Sequence, residues 1–415
     1  MHRARSIAAL VSCYFLFAIL MNSVGTVILQ STLSFGVSKA QAASLEGFKD
    51  IPIALVSLLL ASFIPRIGYK VALTTALLAL SIVCVVVPSI PHFWMIKLLF
   101  AAIGSSFALV KVSVYSQVGE LSDSKAAHSS LLSTIEGTFM LGVLSGYWLF
   151  PLFFGDAAQS FDWLNVYYLL GGMLLLTGGL VLFTPLPEPQ CNKDGRVSGG
   201  LRESWMQMIR LAIEPLVLVF VFCTFLYVLI EQAVGTWLPT FNHEYLGLPL
   251  SVSVQLTSVF AASLALGRLA AGLLLKWIPW FSLLTGCVLL MALLVLLALS
   301  FEPSVSGSVT GLTDIPAAAW VMPLIGLVMA PLYPVLNSLI LSSREKSQHA
   351  SMTGLIVVFS ALGGTTGSYI TGWLFHHFGG QQAFLLTIVP MIILLFCLIG
   401  FRRLTAPATN LLQGS

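Results

Sequence analysis

Pro185–Glu203 reads PLPEPQCNKDGRVSGGLRE. It is the longest clearly polar stretch in a chain of 415 residues, and it falls close to the middle. On either side the sequence is a succession of apolar runs separated by short polar breaks. A helix needs about 20 apolar residues to cross the hydrocarbon core of a bilayer. By that measure six runs precede the polar stretch, at 6–30, 40–64, 69–90, 95–118, 128–152 and 163–184. Six more follow, at 209–237, 251–275, 279–301, 316–342, 350–376 and 380–401. Six plus six around a central polar linker is a repeat architecture, even without obvious identity between the halves. The predicted fold is an all-α membrane protein of twelve transmembrane helices in two six-helix halves. The halves are residues 1–184 and 206–415, joined by a cytoplasmic linker, 185–205.

Composition agrees. Hydrophobic residues make up 58% of the chain and charged residues 8%, against roughly 25% charged in a soluble domain. Such a chain cannot keep the surface of a water-soluble globule wet, and it is too hydrophobic to be disordered. With 19 Lys and Arg against 16 Asp and Glu, it has too few cations for a nucleic-acid-binding face. The six cysteines show no C-x-x-C or C-x-x-H spacing and read as small apolar packers. The pair His376-His377 has no further ligands near it in sequence, so no metal site is expected. The first run is longer than a signal-peptide core and lacks a small-x-small cleavage site, so it is expected to be retained as a helix. No phosphate-cradling G-x-x-x-x-G-K-[ST] loop and no hydrolytic or redox motif occurs, which argues against ATP-driven transport and against an enzyme. No cofactor is expected.

Orientation follows from the cations. A cytoplasmic N-terminus places fifteen of the nineteen Lys and Arg on the cytoplasmic side, so the positive-inside rule predicts that both termini are cytoplasmic. Trp94, Trp163, Trp237 and Trp320 fall at predicted outer helix ends, and Trp205, Trp277 and Trp280 at inner ends, where interface anchors are expected.

Charges inside a spanning helix cost roughly 2.5–3.5 kcal/mol each on insertion scales, so those that persist face a cavity or a partner. Six are clear cases, set away from the ends of their spans: Glu46, Lys49 and Asp50 in the second, Lys111 in the fourth, Glu136 in the fifth and Glu231 in the seventh. Glu46, Lys49 and Asp50 share one helical face at i, i+3, i+4. One lysine cannot neutralise two carboxylates, so Asp50, the deeper, and Glu46 are candidates to load and release a proton. Lys111 and Glu136 lie at matching depth on consecutive helices, which predicts an ion pair, with Glu136 a further proton-coupling candidate. The surplus of two acids among the six suits proton coupling or a cationic group on a substrate. Asn22, Tyr115, Gln232, Tyr333 and Asn337 complete a candidate binding surface with Lys111, Glu136 and Glu231, because cavities for polar solutes pair aromatic faces with a few hydrogen-bonding groups.

Several motifs carry a family resemblance. Pro65-Arg66-Ile67-Gly68-Tyr69-Lys70, after the second span, resembles the D-R-x-G-R-K loop of the major facilitator superfamily, with Pro65 at the aspartate position. Gly267-Arg268-Leu269 with Gly272 resembles the G-R-L-x-x-G of its eighth helix, and Ala350–Gly379 resembles its eleventh. Tyr227–Gln232 followed by Gly235–Thr240, and Ala330-Pro331-Leu332-Tyr333-Pro334, most resemble the fucose permease-like group. The resemblance implies the major facilitator fold. It also implies gating roles for Arg66, Lys70 and Arg268, and central-cavity positions for the charged spans. The drug/proton antiporter motif G-P-x-x-G-G is absent from the fifth span. By this resemblance the chain is a secondary transporter, taking up a small polar solute with protons as coupling ion. The alternative is an exporter of a metabolite, siderophore or drug. A non-transporting sensor of the same fold is disfavoured by the six intramembrane charges. A monomer in the lipid bilayer of a bacterial inner membrane is expected, with no nucleic-acid partner.

Overall fold

A computed structural model of the chain describes residues 2–60, 67–122, 124–155, 159–186, 201–300, 315, 318–345 and 348–409. The described residues are helical apart from short connections, with no strand among them. They divide into two compact units, Met1–Ser198 and Gly199–Ser415.

The first unit holds α1 (His2–Asn22), α2 (Val24–Phe35), α3 (Lys39–Leu60), α4 (Tyr69–Val86), α5 (Phe93–Glu120), α6 (Lys125–Leu149) and α7 (Val166–Phe183). The second holds α8 (Leu201–Ala212), α9 (Pro215–Gly235), α10 (Leu238–Glu244), α11 (Leu250–Leu274), α12 (Trp280–Ser300), α13 (Ala318–Met329), α14 (Leu332–Ser342), α15 (His349–Leu385) and α16 (Ile388–Thr409). The predicted first, seventh and tenth spans are each built from two helices. The chain is an all-α membrane protein of twelve-helix architecture. Ten stretches are long and apolar enough to cross a bilayer on length and composition alone. The two predicted spans that are not among them are α3 and α6, because α3 carries Glu46, Lys49 and Asp50, and α6 is rich in Ser, Thr and Gly around Glu136.

Helix pairing repeats from unit to unit. In the first, α1 packs on α6, α3 on α5, and α4 on α7. In the second, α9 packs on α15, α11 on α13, and α12 on α16. The first helix of each half therefore meets the fifth, the second the fourth and the third the sixth. α8, an amphipathic helix, lies against α15 and α9.

The breaks have local causes. At Ser23 the hydroxyl donates back to the Leu20 carbonyl at 2.8 Å, competing with the helical ladder between α1 and α2. Between α13 and α14, Pro331 has no N–H for the Leu327 carbonyl one turn back. That carbonyl faces Gly267 of α11, where a Cβ would collide with it. Gly379 interrupts α15 at φ 82°, a left-handed conformation open to glycine.

Two predicted interface anchors belong to the interior. Trp163 and Trp237 are fully buried. The Trp163 indole N–H donates to Ser34 Oγ at 3.0 Å, and that of Trp237 to the Ser368 carbonyl at 3.0 Å. A hydrogen-bonded indole can be buried without an unsatisfied donor. Trp94, Trp277 and Trp320 are exposed, as anchors require.

Helices α9 and α15 meet backbone to backbone. Gly363 and Gly367 of α15 lie against the backbone of Phe225 and Leu229, one helical turn apart on both helices. Close backbone approach over small residues is the principal source of helix adhesion in a membrane. Gly367→Val places branched carbons where backbone already stands, so loss of about 1–3 kcal/mol is expected. The melting temperature of the detergent-solubilised protein measures it, and an unchanged value refutes the packing account.

Candidate functional site

The intramembrane charges fall into three groups, two in the first unit and one in the second.

Glu46, Lys49 and Asp50 form the first group on α3. Their exposures are 0%, 4% and 9%. The Lys49 ammonium donates to the Glu46 carboxylate and lies 3.5 Å from Asp50 Oδ1. The i, i+3 spacing brings Lys49 and Glu46 together, and its neighbour Asp50 flanks the same ammonium. Gly104 of α5 lets the Lys49 backbone come against that helix. Tyr147 of α6 approaches Glu46 and Lys49. The group is thus enclosed on several sides, one cation held between two acids.

The second group comprises Lys111, Tyr115 and Glu136. The predicted Lys111–Glu136 ion pair is not formed. Tyr115, one turn after Lys111 on α5, donates its hydroxyl to Glu136 Oε1 of α6 at 2.6 Å. The phenol reaches the carboxylate and takes the place that depth matching assigned to the lysine. Lys111 Nζ lies 5.9 Å from the ring centroids of Phe107 and Tyr115. All three side chains are solvent-accessible although they belong to spanning helices. Tyr14 of α1 backs them, its ring 6.1 Å from that of Tyr115.

The third group centres on Glu231 of α9. Arg268 Nη2 donates to Glu231 Oε1 at 3.2 Å. Arg268 lies within α11, as its place in the predicted eighth span implies, and supplies a counter-ion not counted among the six intramembrane charges. Tyr227 lies one turn before Glu231, with its ring 5.6 Å from that of Tyr333 on α14. The Tyr333 hydroxyl is 3.3 Å from Ser360 Oγ of α15.

The remaining predicted positions do not join these groups. Asn22 spends its amide on the Ala18 carbonyl at 2.9 Å. Gln232 accepts from the Thr236 hydroxyl at 2.9 Å. Asn337 is half-buried, with its side-chain oxygen unpartnered. Lys70 stands at the start of α4. Arg66 lies outside the described residues. Tyr14, Tyr147, Tyr227 and Ser360 were missed by the sequence reading. A tyrosine at i−4 from Glu231 was the signal for Tyr227, and the position of Arg268 well before the end of its apolar run was the signal for a buried partner. One further pair lies near the helix ends of the second unit, where Arg344 Nη1 donates to Glu214 Oε2 at 2.5 Å.

The sequence profile of the Major Facilitator Superfamily matches residues 10–343. The chain belongs to the major facilitator superfamily. It is a secondary transporter and not an enzyme. No curated protein matches the sequence. Among solved structures, this transporter is similar to a bacterial homologue of the human lysosomal transporter Spinster, at 14% identity over 97% of each chain and a TM-score of 0.76. The nucleoside transporter NupG superposes at 13% identity over 95% of this chain and 98% of its own, with a TM-score of 0.73. The Escherichia coli fucose:proton symporter superposes at 16% identity over 97% of this chain and 99% of its own, with a TM-score of 0.61. Identities this low show the shared fold alone.

Proposed function

We propose that this transporter takes up a small polar solute by alternating access, coupled to protons. The observation that carries the reading is the buried group on α3. Two carboxylates share one ammonium, and all three are enclosed. Two like charges around one counter-ion favour holding a proton on one acid. A conformational change that alters the solvation of the group would release it. Asp50 is the carboxylate to test, since it is the more accessible of the two and the more loosely held by Lys49. That a D-xylose–proton symporter and a fucose:proton symporter share the fold supports the reading by analogy. Both termini are placed in the cytoplasm and the protein in a bacterial inner membrane, on the distribution of cations described above.

The test is uptake by reconstituted proteoliposomes against a metabolite panel, with and without an imposed pH gradient. Uptake accelerated by an inward proton gradient, and made insensitive to it by Asp50→Asn, is the expected result. Uptake that ignores the gradient, or an Asp50→Asn variant coupled as well as the parent, rejects coupling through α3.

A further inference from the structure

We infer that the transported solute carries a carboxylate, for which Lys111 is the recognition cation. The inference deepens the transport reading and rests on it. A surplus of two acids among the six intramembrane charges suits proton coupling or a cationic group on the substrate. That surplus falls to one once Arg268 is counted as the partner of Glu231. The one surplus acid belongs to the enclosed group on α3, where Lys49 holds both carboxylates. Glu231 has Arg268. What remains is Lys111 with Glu136, one cation and one acid that act on each other through space without touching, while the Tyr115 hydroxyl occupies Glu136 Oε1 at 2.6 Å.

Lys111 forms no ion pair or hydrogen bond with any described residue. The ring centroids of Phe107 and Tyr115 lie 5.9 Å from its ammonium, at the outer limit of cation–π attraction. Lys111 is exposed although it belongs to a spanning helix. An ammonium within a spanning helix is costly, and such residues mark substrate pathways. A carboxylate on the solute supplies the direct contact that Glu136 does not make, through a charge-assisted hydrogen bond. The surroundings fit an organic anion better than an inorganic one. Tyr115, whose ring lies beside the cation, is exposed and offers an aromatic surface to a carbon skeleton. The second oxygen of Glu136 accepts no hydrogen bond from any described residue, which leaves it open to a hydroxyl on the same solute.

The experiment measures thermal stabilisation of the purified full-length protein. The probes are matched pairs, D-gluconate with D-glucose and 4-hydroxybenzoate with 4-hydroxybenzyl alcohol. They are joined by a soluble metabolite extract separated on an anion-exchange resin into anionic and neutral fractions. The anionic fraction is expected to stabilise the protein and the neutral fraction not. In any pair that binds, the carboxylate is expected to bind roughly tenfold or more tightly than its neutral partner. Lys111→Gln is expected to lose this response and Lys111→Arg, which keeps the charge, to retain it. If the glutamine variant does not fold, the arginine variant and the two fractions decide. Stabilisation by the neutral fraction alone, by neither fraction, or by anions equally in Lys111→Gln overturns the inference. Uptake of the bound anion by proteoliposomes separates the two readings: anion uptake indifferent to a pH gradient upholds Lys111 and removes proton coupling, whereas gradient-driven uptake of neutral solutes alone does the reverse.

Discussion

Lys49→Met is expected to be among the most damaging single substitutions in this transporter. The lysine is 4% exposed and bonded to Glu46, which is fully buried, with Asp50 3.5 Å from its ammonium. Removing it takes away the ammonium that two enclosed acids share. Breaking a buried ion pair by deleting one partner typically costs about 3–5 kcal/mol, because the orphaned charge keeps its desolvation penalty and loses its compensation. Here two charges lose that ammonium and they repel. The remedy open to the protein is to bind protons, which relieves the repulsion but leaves hydroxyl groups needing new partners. The variant is therefore expected to be poorly expressed and to elute as aggregate in size-exclusion chromatography. Adding Glu46→Gln and Asp50→Asn to Lys49→Met removes the charges altogether and should recover a monodisperse, transport-inactive protein. A triple variant no better folded than Lys49→Met would mean that the lysine stem, not its charge, supports α3. A single variant as stable as the parent would mean that the group is far better hydrated than its burial indicates.

How much of this was legible in the sequence differs by level. The apolar runs gave the helices, because hydrocarbon leaves few other ways to satisfy the backbone and a helix needs a fixed length to cross. The repeat was legible from one polar stretch, Pro185–Glu203, with six runs on each side. Helix breaks were only partly legible: Pro331 announces one, whereas Ser23 acts through a local hydrogen bond that many helical serines also make without breaking a helix. The charged group on α3 was readable because its geometry is local to one helix, where spacing fixes which residues share a face. Pairing between helices was not. Depth along consecutive spans placed Lys111 opposite Glu136, yet a tyrosine one turn away reaches the carboxylate. Depth fixes height in the membrane but not rotation about the helix axis. The buried Trp163 and Trp237 make the same point, since position at a helix end does not tell which way an indole turns. The partner of Arg268 was hidden for a related reason: spacing along α9 and α11 does not tell which side chains of two helices face each other.

Arg268→Leu is expected to produce the other large effect, and the structure predicts its cure. Glu231 is 18% exposed at the side chain and Arg268 43%, so the pair is neither fully buried nor free in water. The net worth of such a pair is small, on the order of 1 kcal/mol, because half-solvated charges gain little from meeting. The cost of taking its counter-ion from Glu231 is larger, up to the roughly 2.5–3.5 kcal/mol of a charge placed in a spanning helix. Those two magnitudes predict an asymmetry: each single variant that removes one partner is damaging, while the double variant that removes both is nearly neutral for stability. Arg268→Leu should therefore lower the melting temperature clearly, and Arg268→Leu with Glu231→Leu should restore most of it, a coupling of about 0.5–3 kcal/mol in a double-mutant cycle. Transport supplies the second readout. If Arg268 acts as a gating residue, its loss abolishes transport without lowering stability, and removing Glu231 rescues neither. If it serves as the counter-ion of Glu231, as the 3.2 Å contact indicates, stability falls with the single variant and returns with the double. The ring of Tyr227 beside Tyr333 would then enclose a neutral site, and whatever transport survives in the double variant measures how far the cation and the carboxylate serve the solute rather than each other.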